Sequence, residues 1–160
     1  MSKAPSTPAV RLLKDQRVPF TEHLYRYEDH GGTKVCAREF QVDEHGVIKT
    51  LIMEDENAKP LVVLMHGDLE VSTKALARQI GCKTVQICKP EVASRHSGYQ
   101  VGGTSPFGTR KTMPVYMEKT ILGLDRIFIN GGSRGFLVAL DPKDAAMVLN
   151  PILVEVSFHE

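Results

Sequence analysis

The chain has 160 residues, 42% hydrophobic and 24% charged, with 20 basic against 19 acidic side chains and a formal net charge of +1. That length suits one domain able to bury about two-thirds of its unfolded surface, and the composition is ordinary for a globular protein. The balanced charge excludes a histone-like or polybasic binder, so any nucleic-acid contact should be small and local, at a strand end rather than along a duplex.

No apolar run approaches the length of a membrane helix, and Met1-Ser2-Lys3-Ala4-Pro5 lacks the apolar core of a secretory signal. Cys36, Cys82 and Cys88 are odd in number and without C-x-x-C spacing, which argues against a disulfide framework or a zinc knuckle. The expectation is a cytoplasmic protein with no cofactor, no bound metal and no membrane contact, disordered over residues 1–5 and otherwise one domain over 1–160.

Ser6-Thr7-Pro8 reads as a capped helix start, with Val10, Leu12, Leu13 and Val18 toward the core. Phe20 to Tyr27 alternates as a strand, with Thr21, His23, Tyr25 and Tyr27 on one face. Thr33, after the Asp29–Gly32 turn, is placed to cap a short helix through Phe40. Val47 to Met53 and Leu61 to His66 form two apolar strands joined by a hairpin loop over 55–60. Ser72 or Thr73 starts a helix to Ile80 closed by Gly81, Thr84 to Cys88 is a strand, and Pro90 opens a helix to about Arg95. Met113 to Met117, Arg126 to Ile129 and Phe136 to Leu140 follow as strands, with Asn130 to Gly135 as a hairpin connection. Asp141-Pro142 caps a helix to about Leu149, and Ile152 to Phe158 is a last strand. The mixture of hairpins and helices gives an α+β class with a mixed, strongly curved sheet.

The densest chemical signal is Gly102-Gly103-Thr104-Ser105-Pro106-Phe107-Gly108. Paired glycines followed by a proline that fixes one dihedral suit a rigid arc whose Gly103, Thr104 and Ser105 N–H groups could meet an anion or a developing oxyanion. Lys49 shares parity with the apolar Val47, Leu51 and Met53, so it either lies on an edge strand, the reading parity alone favours, or points into a pocket. Pro106 after Ser105 removes the N–H that a nucleophile elbow requires, and Gly103 to Gly108 followed by Thr109-Arg110 is not a P-loop. The six histidines are scattered, and Cys36 reads as a small core residue. Arg110-Lys111 and Ser133-Arg134, beside the two glycine turns, would suit a few phosphates.

The segments Val47-Ile-Lys49-Thr50-Leu51, Ser97 to Gly108 and Asn130-Gly-Gly-Ser-Arg-Gly135, in that order, resemble the YbaK/EbsC family of aminoacyl-tRNA deacylases, which is related to the editing domain of bacterial prolyl-tRNA synthetases. The resemblance runs from the first helix through the Asp141-Pro142 helix. It implies a compact domain around a barrel-like mixed sheet, with a pocket for the 3′-terminal adenosine of tRNA and its amino acid. It implies aminoacylated tRNA as partner, prolyl-tRNA synthetase as a further candidate, and no DNA. The family activity is trans-editing, typified in the YbaK branch by Cys-tRNA(Pro), with the cysteine thiol attacking its own ester.

By position the resemblance makes Lys49 and the loop residues Gly102, Gly103, Thr104 and Ser105 catalytic. Tyr25, Thr50, Pro106, Asn130, Gly131 and Leu137 are implied to bind substrate, and Arg110, Lys111 and Arg134 to bind tRNA. Leu137 stands where some members carry an acidic residue, and Asn130 where many carry serine. Ala-tRNA(Pro), or another small misacylated amino acid, is the alternative substrate. A non-catalytic module that binds aminoacyl-tRNA or a synthetase is the alternative of another class, and a small-nucleotide or anion binder ranks below both.

Overall fold

The computed structural model describes residues 4–159. Ten strands and five helices follow in chain order: α1 (Pro8–Asp15), β1 (Thr21–Leu24), α2 (Gly32–Phe40), β2 (Val47–Asp55), β3 (Pro60–His66), β4 (Glu70–Val71), α3 (Thr73–Ile80), β5 (Val85–Ile87), α4 (Pro90–Ser97), β6 (Val115–Glu118), β7 (Ile127–Ser133), β8 (Phe136–Leu140), α5 (Pro142–Leu149), β9 (Ile152–Val154) and β10 (Ser157–Phe158). Of the expected disorder over 1–5, residues 1–3 lie outside the described residues, while Ala4 packs against the main core. Among the described residues no helix is long and apolar enough to cross a membrane.

Local sequence accounts for most helix ends. Thr7 is extended and its Oγ1 accepts from the Val10 N–H at 3.1 Å ahead of Pro8, so α1 buries Ala9, Val10 and Leu13. Ser72 Oγ accepts from Ala75 N–H to start α3, and Gly81 at φ 82° ends it. Asp141 accepts from Lys143 N–H to start α5. Thr33 does not cap α2. The helix begins one residue earlier, behind Gly31, and the Thr33 hydroxyl instead donates to Glu44 Oε2 at 2.7 Å.

The fold class is α+β, as expected. The main sheet is mixed and runs β1-β8-β7-β2-β3-β6-β9, with β5 also paired to β2. Its path ends on β1 and β9 and does not close into a barrel. Strand periodicity sends Ile48, Ile52, Val62 and Leu64 into the main core with α1 residues, Phe107 and Phe136. On the opposite face, Met53, Leu61, Val63 and Met65 pack with Leu76 of α3, while Val47, Phe128 and Leu137 pack with Cys36 of α2.

The expected last strand, Ile152 to Phe158, is two strands in two sheets. β9 pairs parallel with β6, and β10 pairs antiparallel with β4. The break lies at Val156, where the buried Glu118 carboxylate accepts from the N–H groups of Val156 (2.8 Å) and Ser157 (3.2 Å). The Asn130–Gly135 turn is also shorter than expected, because β7 continues to Ser133 through a register shift after Asn130.

β2 decides where a site can form. Along one edge it pairs with β3 over Ile48–Glu54. Along the other it pairs with β7 only at Val47 and Ile48, and with β5 only from Met53 to Asp55. Residues 49–52 therefore face a split in the sheet. Phe107 is fully buried between this region and α1 in the main core cluster. Its replacement by alanine should cost ~3–5 kcal/mol, read as a lower midpoint in denaturant unfolding.

Candidate active site

The split in the sheet opens into a cavity of about 920 Å³. Lys49, Thr50 and Leu51 of β2 line it together with Tyr25 and Tyr27 after β1, Thr33 and Cys36 of α2, Glu70 of β4, Cys88 ahead of α4 and Ala93 within it. Gly102 and Thr104 of the glycine loop and Asn130, Arg134 and Leu137 of the β7–β8 hairpin complete the wall. A smaller cleft of about 400 Å³ beside α3 carries none of the residues expected to be catalytic, substrate-binding or tRNA-binding.

Lys49 is not on an edge strand, because β2 is internal; the opening beside it is a gap within the sheet rather than its rim. Its side chain is 19% exposed, and Nζ donates to the Leu69 carbonyl at 2.6 Å and to Glu70 Oε1 at 3.3 Å. An ammonium carries three N–H donors, so these partners leave one for a ligand. Thr50 Oγ1 is buried without a hydrogen-bond partner.

The glycine loop divides into two parts. Gly102, at φ 93°, and Thr104 reach the cavity. Gly103, Ser105 and Pro106 do not line it and are buried, which corrects the picture of a continuous arc of donors. The Gly103 N–H donates to the Gln100 carbonyl at 2.8 Å, and a Cβ there would meet the backbone of Ser133 and Arg134 at 2.6–3.0 Å. Ser105 Oγ accepts from the Phe107 N–H, a local turn contact rather than a nucleophile's setting. The loop is tied to the hairpin by Asn130 Nδ2 donating to the Gly102 carbonyl (3.3 Å) and Arg134 Nε donating to the Val101 carbonyl (2.9 Å). Arg134 also stacks over the Tyr27 ring at 4.9 Å.

Gly131 is buried away from the cavity, its carbonyl accepting from Thr7 Oγ1 at 2.5 Å. Arg110 and Lys111 are exposed and lie at the end of α4, their N–H groups donating to the Ser97 and His96 carbonyls. Neither lines the cavity; of the expected basic residues only Arg134 does.

Sequence reasoning left out Tyr27, Cys36, Glu70 and Cys88 as cavity residues. Tyr27 had a usable signal, since it shares strand parity with Tyr25. Glu70 had none, because a chain turn delivers it. Burial raises the Tyr25 phenol's pKa, and the neighbouring Cys36 thiol adds to that. Burial likewise raises Cys36, and raises Cys88 to about 11 with help from the Glu54 carboxylate. Both thiols lining the cavity are therefore protonated and weakly nucleophilic near neutral pH.

Residues 29–147 match the aminoacyl-tRNA editing domain. The chain belongs to that family. It is 27% identical over 155 residues to EbsC of Enterococcus faecalis, named as a candidate Cys-tRNA(Pro)/Cys-tRNA(Cys) deacylase, covering 96% of this chain and 94% of that one. It is 24% identical over 92 residues to the proline–tRNA ligase of Brachyspira hyodysenteriae, covering 58% of this chain and 16% of the ligase. A solved structure described as a candidate trans-editing enzyme for prolyl tRNA synthetase superposes with a TM-score of 0.83 at 18% identity, covering 97% of this chain and 99% of that one. The chain is thus an aminoacyl-tRNA deacylase of the YbaK/EbsC type.

The turn that presents Leu69 and Glu70 to Lys49 in this editing domain is braced by two stacked histidines. The His45 and His66 rings lie 3.7 Å apart at 5°, and His45 Nδ1 pairs with Asp68 at 2.9 Å. His66 is fully buried; Nδ1 donates to the His45 carbonyl (2.8 Å), so the neutral ring accepts from Thr120 Oγ1 at Nε2 (2.7 Å). Burial, more than any other influence, lowers the pKa of His66 from 6.5, and the His45 ring adds to it against the opposing pull of the His45 carbonyl, Asp68 and Glu118. Between the lowered native value and the ordinary one only the unfolded chain takes up this proton, so stability falls as pH drops through that window. Melting temperatures followed from about pH 7.5 to about pH 5 should fall for the wild type, and fall less for His66→Gln.

Proposed function

We propose that this deacylase removes cysteine from Cys-tRNA(Pro), the ester lying between Lys49 and the Gly102 end of the glycine loop. The observation that carries the reading is the Lys49 ammonium in the wall of a cavity that Gly102 and Thr104 also line. A cationic donor fixed in the cavity wall stabilises a developing oxyanion, an effect worth ~3 kcal/mol per donor in comparable sites. An aminoacyl ester is already reactive, so one such contribution matters.

The nucleophile is the substrate's own thiol. It gives up its proton, sulfur bonds to the ester carbonyl carbon, and the bond from that carbon to the ribose oxygen breaks. The departing ribose oxygen takes the proton and becomes a hydroxyl, and water then opens the resulting thiolactone to free cysteine. The protonated Cys36 and Cys88 thiols support leaving this step to the substrate. Tyr25, Thr50, Asn130 and Leu137 bound the amino-acid and ribose end of the cavity in this reading. Arg134 takes a phosphate at its mouth, and Arg110 and Lys111 lie farther along the acceptor strand. Prolyl-tRNA synthetase is the candidate partner for supplying tRNA selectivity, as the likeness to a proline–tRNA ligase suggests.

Lys49→Ala should lower the deacylation rate by about 100-fold or more with an unchanged melting curve. A rate equal to wild type would remove Lys49 from the mechanism. Side-by-side release from Cys-, Ala- and Ser-charged tRNA(Pro) tests the nucleophile: the thiol route requires turnover of the cysteine ester alone, and comparable release of alanine would replace it with attack by water.

A further inference from the structure

We infer that Glu70 is a positioning residue for Lys49, and that the C-terminal strand β10 is part of the same holding device. The inference rests on the reading of Lys49 as the group that meets the ester. An unrestrained lysine spreads its ammonium over several ångströms through four rotatable bonds. Here Nζ is fixed from one short turn, by the Leu69 carbonyl at 2.6 Å and the Glu70 carboxylate at 3.3 Å.

That turn is not self-supporting. β4 contains only Glu70 and Val71, and its strand partner is β10, with Phe158 opposite Glu70 and Ser157 opposite Val71. β10 is itself anchored from the core. The carboxylate of Glu118, 3% exposed, accepts from Val156 and Ser157 N–H, and the Val156 carbonyl accepts from Ser72 N–H at 2.7 Å. On the other flank the Leu69 N–H donates to the His66 carbonyl at 3.1 Å, and Asp68 pairs with His45. A continuous set of contacts thus runs from the last residues of the chain to the ammonium in the cavity wall.

The Lys49–Glu70 pair is a poor stabiliser, because Glu70 is 51% exposed and such pairs contribute little to folding. Its consequence is geometric. Displacing a reacting group by about 1 Å can cost on the order of 100-fold in rate.

The test compares wild type, Glu70→Gln, Glu118→Gln and the control Glu155→Gln, whose side chain pairs with the exposed Lys119. Glu70→Gln should lower kcat by roughly 10- to 100-fold while KM stays within about twofold and the melting temperature is unchanged. Glu118→Gln should lower kcat in the same direction by a smaller factor, and Glu155→Gln should leave it unchanged. A kcat for Glu70→Gln within about twofold of wild type overturns the proposal. A second readout is independent of turnover: acylation of individual lysines by a small amine reagent, followed by peptide mass analysis. Lys49 should react more slowly than Lys119 in the wild type and several-fold faster in Glu70→Gln; equal Lys49 rates in the two proteins overturn the holding device. If wild type releases amino acid from none of the charged tRNAs, the substrate reading fails, and the labelling rates still decide whether Glu70 holds Lys49.

Discussion

A single strand that changes partners partway along its length creates the site. β2 lies beside β7 for two residues and beside β5 for three, and the four residues between them have no strand on that edge. The β2–β7 pairing ends at Ile129, just before β7 shifts register against β8 after Asn130. An internal strand that keeps full pairing on one edge stays rigid while the other edge opens. Lys49 and Thr50 are therefore delivered into a cavity by regular structure and not by a loop, which gives their side chains a fixed position.

The apolar packing reinforces that arrangement. On the face bearing Lys49, the cluster under α3 and the cluster under α2 are separate, with Met65 and Met53 in one and Val47 and Leu137 in the other. A lysine in either cluster would meet only hydrocarbon. Lodged between them it finds a carbonyl, a carboxylate and an open volume. The glycine loop is fixed by one contact within its own segment and two from the hairpin: the Tyr99 hydroxyl donates to the Phe107 carbonyl at 2.6 Å, and the side chains of Asn130 and Arg134 hold Gly102 and Val101. The cavity is thus braced from both sides by contacts within the fold.

Much of the architecture was legible because its causes are local. Thr7-Pro8, Ser72, Gly81 and Asp141-Pro142 mark helix ends through side-chain acceptors and backbone dihedrals that a few neighbouring residues set. The apolar runs of β2 and β3 likewise announced their strands. Errors fell where a contact from elsewhere overrides local preference. Thr33 was drawn to Glu44 instead of capping α2, and Glu118 broke the final strand by binding two of its N–H groups. The edge position expected for Lys49 failed because parity gives a face, whereas strand order gives a place in the sheet.

The sequence by itself determined the family and the class of reaction and singled out the lysine and the glycine loop as candidates, since these follow from residue types in a fixed order. Only the tertiary structure decided which atoms of that loop reach the cavity. Ser105 and Gly103 sit inside the motif yet are buried in the protein, while Glu70, outside every motif, reaches Lys49 in the cavity wall. The physical reason is that a backbone N–H or a carboxylate acts where its partner lies, and those partners come from segments distant along the chain: the β7–β8 hairpin packed on Gly103, and the chain's last strand supporting Glu70.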